Sequence, residues 1–370
     1  MDNAKKIQNV TEKIKQKIKN LNIPYFEVIA NKGYDEIYRI VIKNKEDENK
    51  NLLYMYSCTK PLTVTCVMQL VEKGKLKLED KLISFVPAFK ETFYKDAQGE
   101  MHIVGDKITI FHLLTMTAGL NYHLGAPAIK ALFENGNEPT TEEVVNAIAK
   151  SPLSFMPGER FNYSLCHDVL ARVVEVVSGL KFSEYIKQNV FEPLGMDDSG
   201  FEDNRKDKML PLFIMRDGKM EPNPLHNDYC ISKNYQSGGA GLIGTIEDYN
   251  KFAISLANDG VYKNGAKILN EDTLALIRKE HISIGDISRQ FTCVQGEDYS
   301  YGLGVRTRIK DTEWGLNKGE FGWDGAAGSY LMIDPNKKVS IVMGMHIRSW
   351  PVIFTGEHLD IVKEIYQNLL

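Results

Sequence analysis

The sequence is short of several things, and each shortage excludes a class of protein. Cysteine is scarce: five in 370 residues, Cys58, Cys66, Cys166, Cys230 and Cys293, odd in number and scattered. That leaves neither a disulfide framework nor the paired spacing of a zinc site. The eight histidines form no His-x-x-x-His or carboxylate–histidine signature, so no metal is expected. No apolar run is long enough to span a bilayer. An excess of one charge is missing too, and a net charge of −4 gives no footprint for nucleic acid. The small-residue run Ser237-Gly238-Gly239-Ala240-Gly241 matches neither a Walker loop nor a dinucleotide fingerprint, and no cofactor is expected. The N-terminus lacks the charged-then-apolar order of an export signal. It alternates lysines with Ile7, Val10, Ile14 and Ile18, the pattern of an amphipathic helix laid against a sheet. Thiols and N-terminus together set the expectation of a reduced, cytoplasmic protein. Oligomeric state leaves no mark in these patterns.

What is present belongs to an ordinary globular chain, 43% apolar and 25% charged, long enough for one large domain or two moderate ones. Stretches 25–30 and 36–42 are β-rich, with Asn31-Lys32-Gly33-Tyr34 as the turn between them. A helix runs from the region of Lys60 to Glu72-Lys73-Gly74. From about 90 to 235 strand patterns become rare. Helical patterns occupy 108–116, 169–177 and 185–190, and Thr140 or Thr141 caps another; 209–234 reads as loop. Strand patterns return at 301–305, 329–333 and 339–345, and 357–370 closes the chain as a helix. With no β-α-β period, the expected fold is mixed α/β (α+β): an antiparallel sheet built from both ends and flanked by the terminal helices. Residues 1–89 and 236–370 would form the sheet unit, 90–235 an inserted, mainly helical region, and the cleft between them the site.

The chemistry gathers around Met55-Tyr56-Ser57-Cys58-Thr59-Lys60. Residues three apart share a helix face, so Ser57 and Lys60 present hydroxyl and amine to one point. A serine becomes a nucleophile when a neighbouring base takes its proton, and a desolvated lysine serves. The same spacing also suits a serine cap beside a solvated lysine. Tyr163 stands just before a helix; beside an ammonium its phenol is expected to titrate lower, making it a candidate base or relay, or else it simply packs there. Asp168 is read as structural, capping that helix or holding the loop. Ser237 to Gly241 marks a close backbone approach at the cleft floor. Thr245 with Asp248 reads as a helix cap. Glu320 to Gly328 precedes a buried strand; its small residues suit backbone donors, and Trp323 is pocket wall or core. His346 and His123 are read as lining the cleft, or else as structural or solvated.

In order and spacing, Ser57-x-x-Lys60, Tyr163-Ser164 and Gly322-Trp323-Asp324-Gly325 resemble the serine beta-lactamase-like family of class C beta-lactamases, penicillin-binding DD-peptidases and related esterases. Supporting segments are His112 to Leu120, Pro157-Gly158-Glu159, Pro193 to Met196, and Gly239 to Leu242 with Thr245-x-x-Asp248-Tyr249. The resemblance covers about residues 20 to 368. It implies acylation of Ser57, activation by Lys60, proton transfer to the leaving group by Tyr163, and an oxyanion hole from the backbone of Ser57 and Ala326. Two positions depart from the lactamase pattern. Leu165 replaces an asparagine amide, and Trp323 with Asp324 replaces a cation and hydroxyl. These departures resemble the esterase-like branch and imply an ester or small amide substrate, with Leu165, Trp323, Asp324, Gly325 and His346 as pocket residues. The alternatives are penicillin binding, DD-peptidase or weak beta-lactamase activity, or a binding protein that kept the fold.

Overall fold

The computed structural model describes residues 3–202, 204–287, 291, 296–350 and 356–370, so Cys293 lies outside the described residues. Helix α1 (Asn3–Asn20) leads into strands β1 (Tyr25–Lys32) and β2 (Asp35–Lys43). Lys32 pairs with Asp35, so the expected turn shortens to Gly33-Tyr34. Helix α2 (Thr59–Glu72) follows, then α3 (Thr141–Ile148) and α4 (Cys166–Ser178). Strands β3 (Leu212–Arg216) and β4 (Lys219–Asn223) form a hairpin, and α5 (Ile246–Ala257) returns to the sheet. The chain ends with β5 (Tyr299–Tyr301), β6 (Arg306–Arg308), β7 (Phe321–Asp324), β8 (Tyr330–Asp334), β9 (Val339–Gly344), β10 (Ile347–Arg348) and α6 (His358–Leu369).

Seven strands make one antiparallel sheet in the order β2-β1-β9-β8-β7-β6-β5, so both ends of the chain meet at the β1–β9 pair. Alternation along each strand decides which face a side chain takes. Phe26, Val28, Ala30, Met332, Ile341 and Met343 join a core with α1 and α6. Tyr25, Ile29, Leu331, Ile333 and Val342 face the other way, onto α2, α4 and α5. The lysine-rich α1 turns Val10, Ile14 and Ile18 inward, each about 1% exposed, and each such burial is worth roughly 1.5–3 kcal/mol. As expected for a helix on a sheet, α1 lies beside β2 and α6.

Two segments differ from the sequence expectation. The stretch 209–234 is not all loop: it holds the β3–β4 hairpin, whose Phe213 pairs in parallel with Ile347 of β10. Its turn is Asp217-Gly218, with φ of 49° and 74°, a strong hairpin signal. Pro222 in β4 weakens the strand pattern and hides it. A second short hairpin, Phe93–Lys95 with Met101–Ile103, also falls in the stretch expected to be helical. The pattern at 108–116 shortens to Ile110–Leu114, capped by Thr109 and His112. Thr140 caps α3, exchanging hydrogen bonds with Glu143. Thr245 accepts the Asp248 N–H at the start of α5, whereas the Asp248 carboxylate turns to the Asp198 N–H and the Ser199 hydroxyl.

Candidate active site

Helix α2 is buried from Thr59 to Leu70, its threonines, Lys60 and Gln69 included, because the protein packs around it on every side. Lys60, on its first turn, is carried into the interior with it and is 0% exposed. The short turn before the helix, Tyr56–Cys58, leaves Ser57 partly accessible. Tyr56 takes φ of 47°, a strained conformation for a bulky residue that neighbours must hold. Tyr54 and Tyr229 pack edge-on against its ring, and the Arg348 guanidinium lies 5.5 Å above it.

The three expected groups converge. Tyr163 Oη donates to Ser57 Oγ at 2.7 Å, and Lys60 Nζ lies 3.1 Å from the same oxygen. Lys60 Nζ also donates to Gly239 O at 2.7 Å and approaches Tyr122 Oη at 3.4 Å. The charged amine thus has three neighbours for three protons. A neutral amine keeps the N–H to Gly239 and turns a lone pair to the Ser57 hydroxyl. Burial lowers the Lys60 pKa to about 8, against an opposing pull from the charge of Asp168. Burial raises the Tyr163 pKa instead, and its hydrogen bonds with Ser57 and Trp323 offset only part of the rise. This corrects the expectation that Tyr163 titrates low beside the ammonium: desolvation outweighs the neighbouring charge. The phenol keeps its proton near neutrality, so of the two groups it is the amine that can accept one.

Threonines on α2 tie the small-residue segment to it. Thr63 donates to Gly238 O at 2.7 Å, and Thr59 Oγ1 accepts the Leu242 N–H at 3.0 Å. On the opposite side, the turn after β7 is clamped to the residues before Ser57. Ser329 Oγ donates to Met55 O at 2.8 Å, and a side chain at Gly325 would stand 2.3 Å from that same carbonyl. Gly325 N–H bonds Ser329 O and Gly328 N–H bonds Gly325 O. These contacts leave Ala326 partly exposed at the corner of the turn. The turn that carries Ala326 therefore borders the turn that carries Ser57.

The pocket residues expected from sequence separate into two groups. Trp323 is at the site: its ring stacks on Tyr163 with centroids 5.7 Å apart, and its Nε1 donates to Tyr163 Oη at 3.3 Å. Gly325 belongs to the clamped turn. Asp324 does not face the cleft. Its carboxylate accepts from Arg306 Nη1 at 2.9 Å and lies 3.4 Å from His358 Nδ1, both buried. Leu165 is 2% exposed at the start of α4 and packs in the main core. His346 is buried, accepting the Tyr54 N–H at 3.2 Å and meeting Leu210 O at 3.1 Å, and burial lowers its pKa to about 4. All three are structural because each side chain is already enclosed and partnered. His123 is exposed. Sequence reasoning missed Tyr122, whose ring stacks on Tyr163 at 5.6 Å, and Tyr229, which packs against Tyr122. Tyr122 follows Thr117-Ala118-Gly119-Leu120-Asn121, two residues past the segment that carried the resemblance.

Among the described residues, the group whose ligand atoms lie close enough to hold a metal is Asp96, Glu100 and His102, away from Ser57 on the 93–103 hairpin. Asp96 there is already bonded to the Gln98 and Glu100 N–H groups and to His102.

A serine held between a buried amine and a phenol, with a backbone turn at its side, is the geometry of serine acyl transfer. A family model described as Beta-lactamase matches residues 29–357. The chain belongs to the beta-lactamase family. Its mixed α/β fold and its serine-hydrolase affiliation follow from that membership. Esterase EstB of Burkholderia gladioli is 27% identical over 321 residues, which cover 79% of this chain and 76% of that one. Lovastatin esterase of Penicillium rubens is 27% identical over 330 residues, covering 83% and 82%. In structure the chain resembles EstCE1, a hydrolase with promiscuous acyltransferase activity, with a TM-score of 0.78, 24% identity, and coverage of 99% and 98%. A mutant of simvastatin synthase from Aspergillus terreus gives a TM-score of 0.79 at 20% identity, covering 98% and 97%.

Proposed function

We propose that this beta-lactamase-family enzyme is a carboxylesterase-like hydrolase that forms an acyl-enzyme on Ser57. The observation that carries this is Ser57 Oγ held at 3.1 Å from a Lys60 amine with a pKa lowered to about 8 and at 2.7 Å from Tyr163 Oη. Neutral Lys60 takes the hydroxyl proton as Oγ attacks the substrate carbonyl carbon. The backbone N–H groups of Ser57 and Ala326 receive the oxyanion. Tyr163 passes a proton to the departing alkoxide and is reprotonated from Lys60, leaving the acyl group on Ser57. Water, activated the same way, then releases the acid. An alcohol in place of water would give acyl transfer, the second activity in the name of EstCE1.

The rings beside Ser57 support one substrate class. Tyr122, Tyr163 and Trp323 stack in sequence, and Phe291 continues the stack on Trp323 at 6.1 Å. Such walls suit an apolar acyl group. Penicillin binding and DD-peptidase activity are less well supported, because Leu165 offers no amide and Asp324 is committed to Arg306. We place the cleft between the sheet unit, 1–89 with 236–370, and the 90–235 region: Ser57, Lys60 and Trp323 come from the first, Tyr122 and Tyr163 from the second. A cytoplasmic location fits the free, buried thiols of Cys58, Cys66 and Cys166. No helix among the described residues is long and apolar enough to cross a membrane.

A fluorophosphonate probe is expected to label Ser57, and Ser57→Ala to abolish both labelling and turnover of short p-nitrophenyl esters. Folded protein that takes no label would end the proposal. A penicillin adduct by intact mass without ester turnover would favour the peptidase-like alternative. Neither adduct nor turnover across ester and amide libraries would favour a binding protein.

A further inference from the structure

Asp168 is fully buried on the first turn of α4, five residues after Tyr163, and the acyl-transfer steps above make no use of it. We infer that Asp168 is a positioning residue for Lys60, the buried counter-charge that steadies its ammonium and fixes the backbone to which it is bonded. The inference rests on Lys60 being the base.

The two carboxylate oxygens have different surroundings. Oδ1 accepts from Tyr235 Oη and from Ser237 Oγ, both at 2.6 Å. Ser237 Oγ in turn accepts the Ala240 N–H at 3.0 Å, so one oxygen holds both ends of the small-residue segment. Oδ2 is buried without a hydrogen-bond partner among the described residues. It is aimed at Gly239, where a Cβ would stand 2.6 Å from it and 3.2 Å from Tyr122 Oη. The carbonyl of that same Gly239 is the acceptor that Lys60 Nζ holds at 2.7 Å. Carboxylate and ammonium thus flank a single glycine. A side chain at 239 would strike the carboxylate and Tyr122, which gives the glycine its reason.

Charge bookkeeping around the amine leads to the same residue. Tyr122, Tyr163, Tyr229, Cys58, Cys166 and His167 surround Lys60 together with Asp168. Burial holds the phenols of Tyr122 and Tyr163 and both thiols in their protonated forms, and it keeps His167 neutral. Asp168 heads the influences that oppose desolvation of Lys60. A base must release its proton as well as take it, which works best when it is poised near the working pH. Burial alone would leave the amine too weak a base, and Asp168 brings it back.

The test follows fluorophosphonate labelling of Ser57 against pH from about 6 to 10, which reports the free enzyme. Wild type is expected to show a rise centred near pH 8. Asp168→Asn keeps the acceptor for Tyr235 and Ser237 but removes the charge, and should move the midpoint down by about one unit or more. Tyr235→Phe keeps the charge and strips a donor from it, so it should move the midpoint up. A purely structural role for Asp168 would lower the rate without moving either midpoint. An unmoved or raised midpoint in Asp168→Asn overturns the inference. If that variant does not fold, an unmoved midpoint in Tyr235→Phe overturns it. A wild type with no rise near pH 8 refutes instead the reading of Lys60 as base.

Discussion

Lys60→Met is expected to change how stability depends on pH as well as to stop catalysis. Methionine keeps an unbranched stem of similar length and removes the charge. In the folded chain burial holds the Lys60 pKa near 8, against an ordinary value of 10.5. Below pH 8 both folded and unfolded chains carry the proton, and the fold bears the full cost of a buried ammonium. As pH rises past 8 the folded chain releases the proton first, so the cost is relieved progressively up to 10.5. From about pH 7 to 9.5 the wild type should therefore gain roughly 2 kcal/mol relative to the variant. Buried phenols such as Tyr122 and Tyr163 titrate with the opposite sign, because their pKa values are raised in the fold. Their effect enters only above the ordinary tyrosine range near 10, so the comparison stops short of it. Lost hydrogen bonds in the variant shift its stability equally at every pH and cancel in the slope. For a chain this long, unfolding entropy is about 0.8 kcal/mol/K, so the wild-type melting temperature should rise relative to the variant's by about 2–3 °C over that range. Thermal melts in reducing buffer at several pH values would measure it. A gap that stays constant across that range would refute a depressed Lys60.

The other expectations concern the groups around it. Tyr163→Phe should lower kcat by roughly 10²–10⁴, the usual worth of a general acid–base group. Tyr122→Phe removes a more distant hydroxyl and should cost far less; equal losses would contradict the assignment of the proton path to Tyr163. Arg306→Met leaves buried Asp324 without its guanidinium and Glu320 with Arg308 alone, and should destabilise by about 3–5 kcal/mol. On the same entropy that lowers the melting temperature by about 4–6 °C, and a drop below about 1 °C would show that the network is not maintained in solution. Trp323→Ala opens the wall beside Tyr163, and kcat/KM should fall more for long acyl esters than for acetyl esters; a uniform fall across chain lengths would deny Trp323 a place in the acyl pocket.

Strand parity explains most of what the sequence concealed at the site. The strands at both ends were legible because residues at alternate positions are apolar, and β8 and β9 are buried on both faces. Ser57, Lys60 and Tyr163 were legible because each sits where a helix begins. Asp324 was misplaced although the pattern contains the answer. Neighbours on a strand point to opposite faces, and once Trp323 is given to the cleft, Asp324 must turn to the other side. There Arg306 and His358 meet it. Leu165 likewise looked like a pocket residue because of its place in the motif, but its apolar side chain is drawn into the core packed under α4. Tyr122 had no periodic pattern to announce it. It lies in an irregular segment, and only the folding of that segment across α2 and α4 brings its ring onto Tyr163. Asp168 reads in the sequence as capping its helix or holding the loop before it; its bonds run instead to Tyr235 and Ser237 of a later segment, and its second oxygen, turned toward Gly239, is visible only in three dimensions.

The stacked rings connect substrate preference to base strength. Lys60 Nζ lies 4.6 Å from the centre of the Tyr163 ring and 5.5 Å from that of Tyr122. The faces of these rings stabilise the ammonium modestly, while their bulk excludes water from it. Exclusion is the larger effect, since desolvation is the leading cause of the lowered pKa. The stack that dries the amine continues from Tyr163 onto Trp323, the residue proposed to wall the acyl group. On the proposed reading, an acyl chain lying along that wall would close the mouth of the site against water, and so favour the neutral amine when a hydroxyl proton must be taken. A short or polar acyl group would leave that mouth open. On that reading, a preference for apolar acyl groups would be expected in the chemical step as well as in binding, because the same rings would govern both.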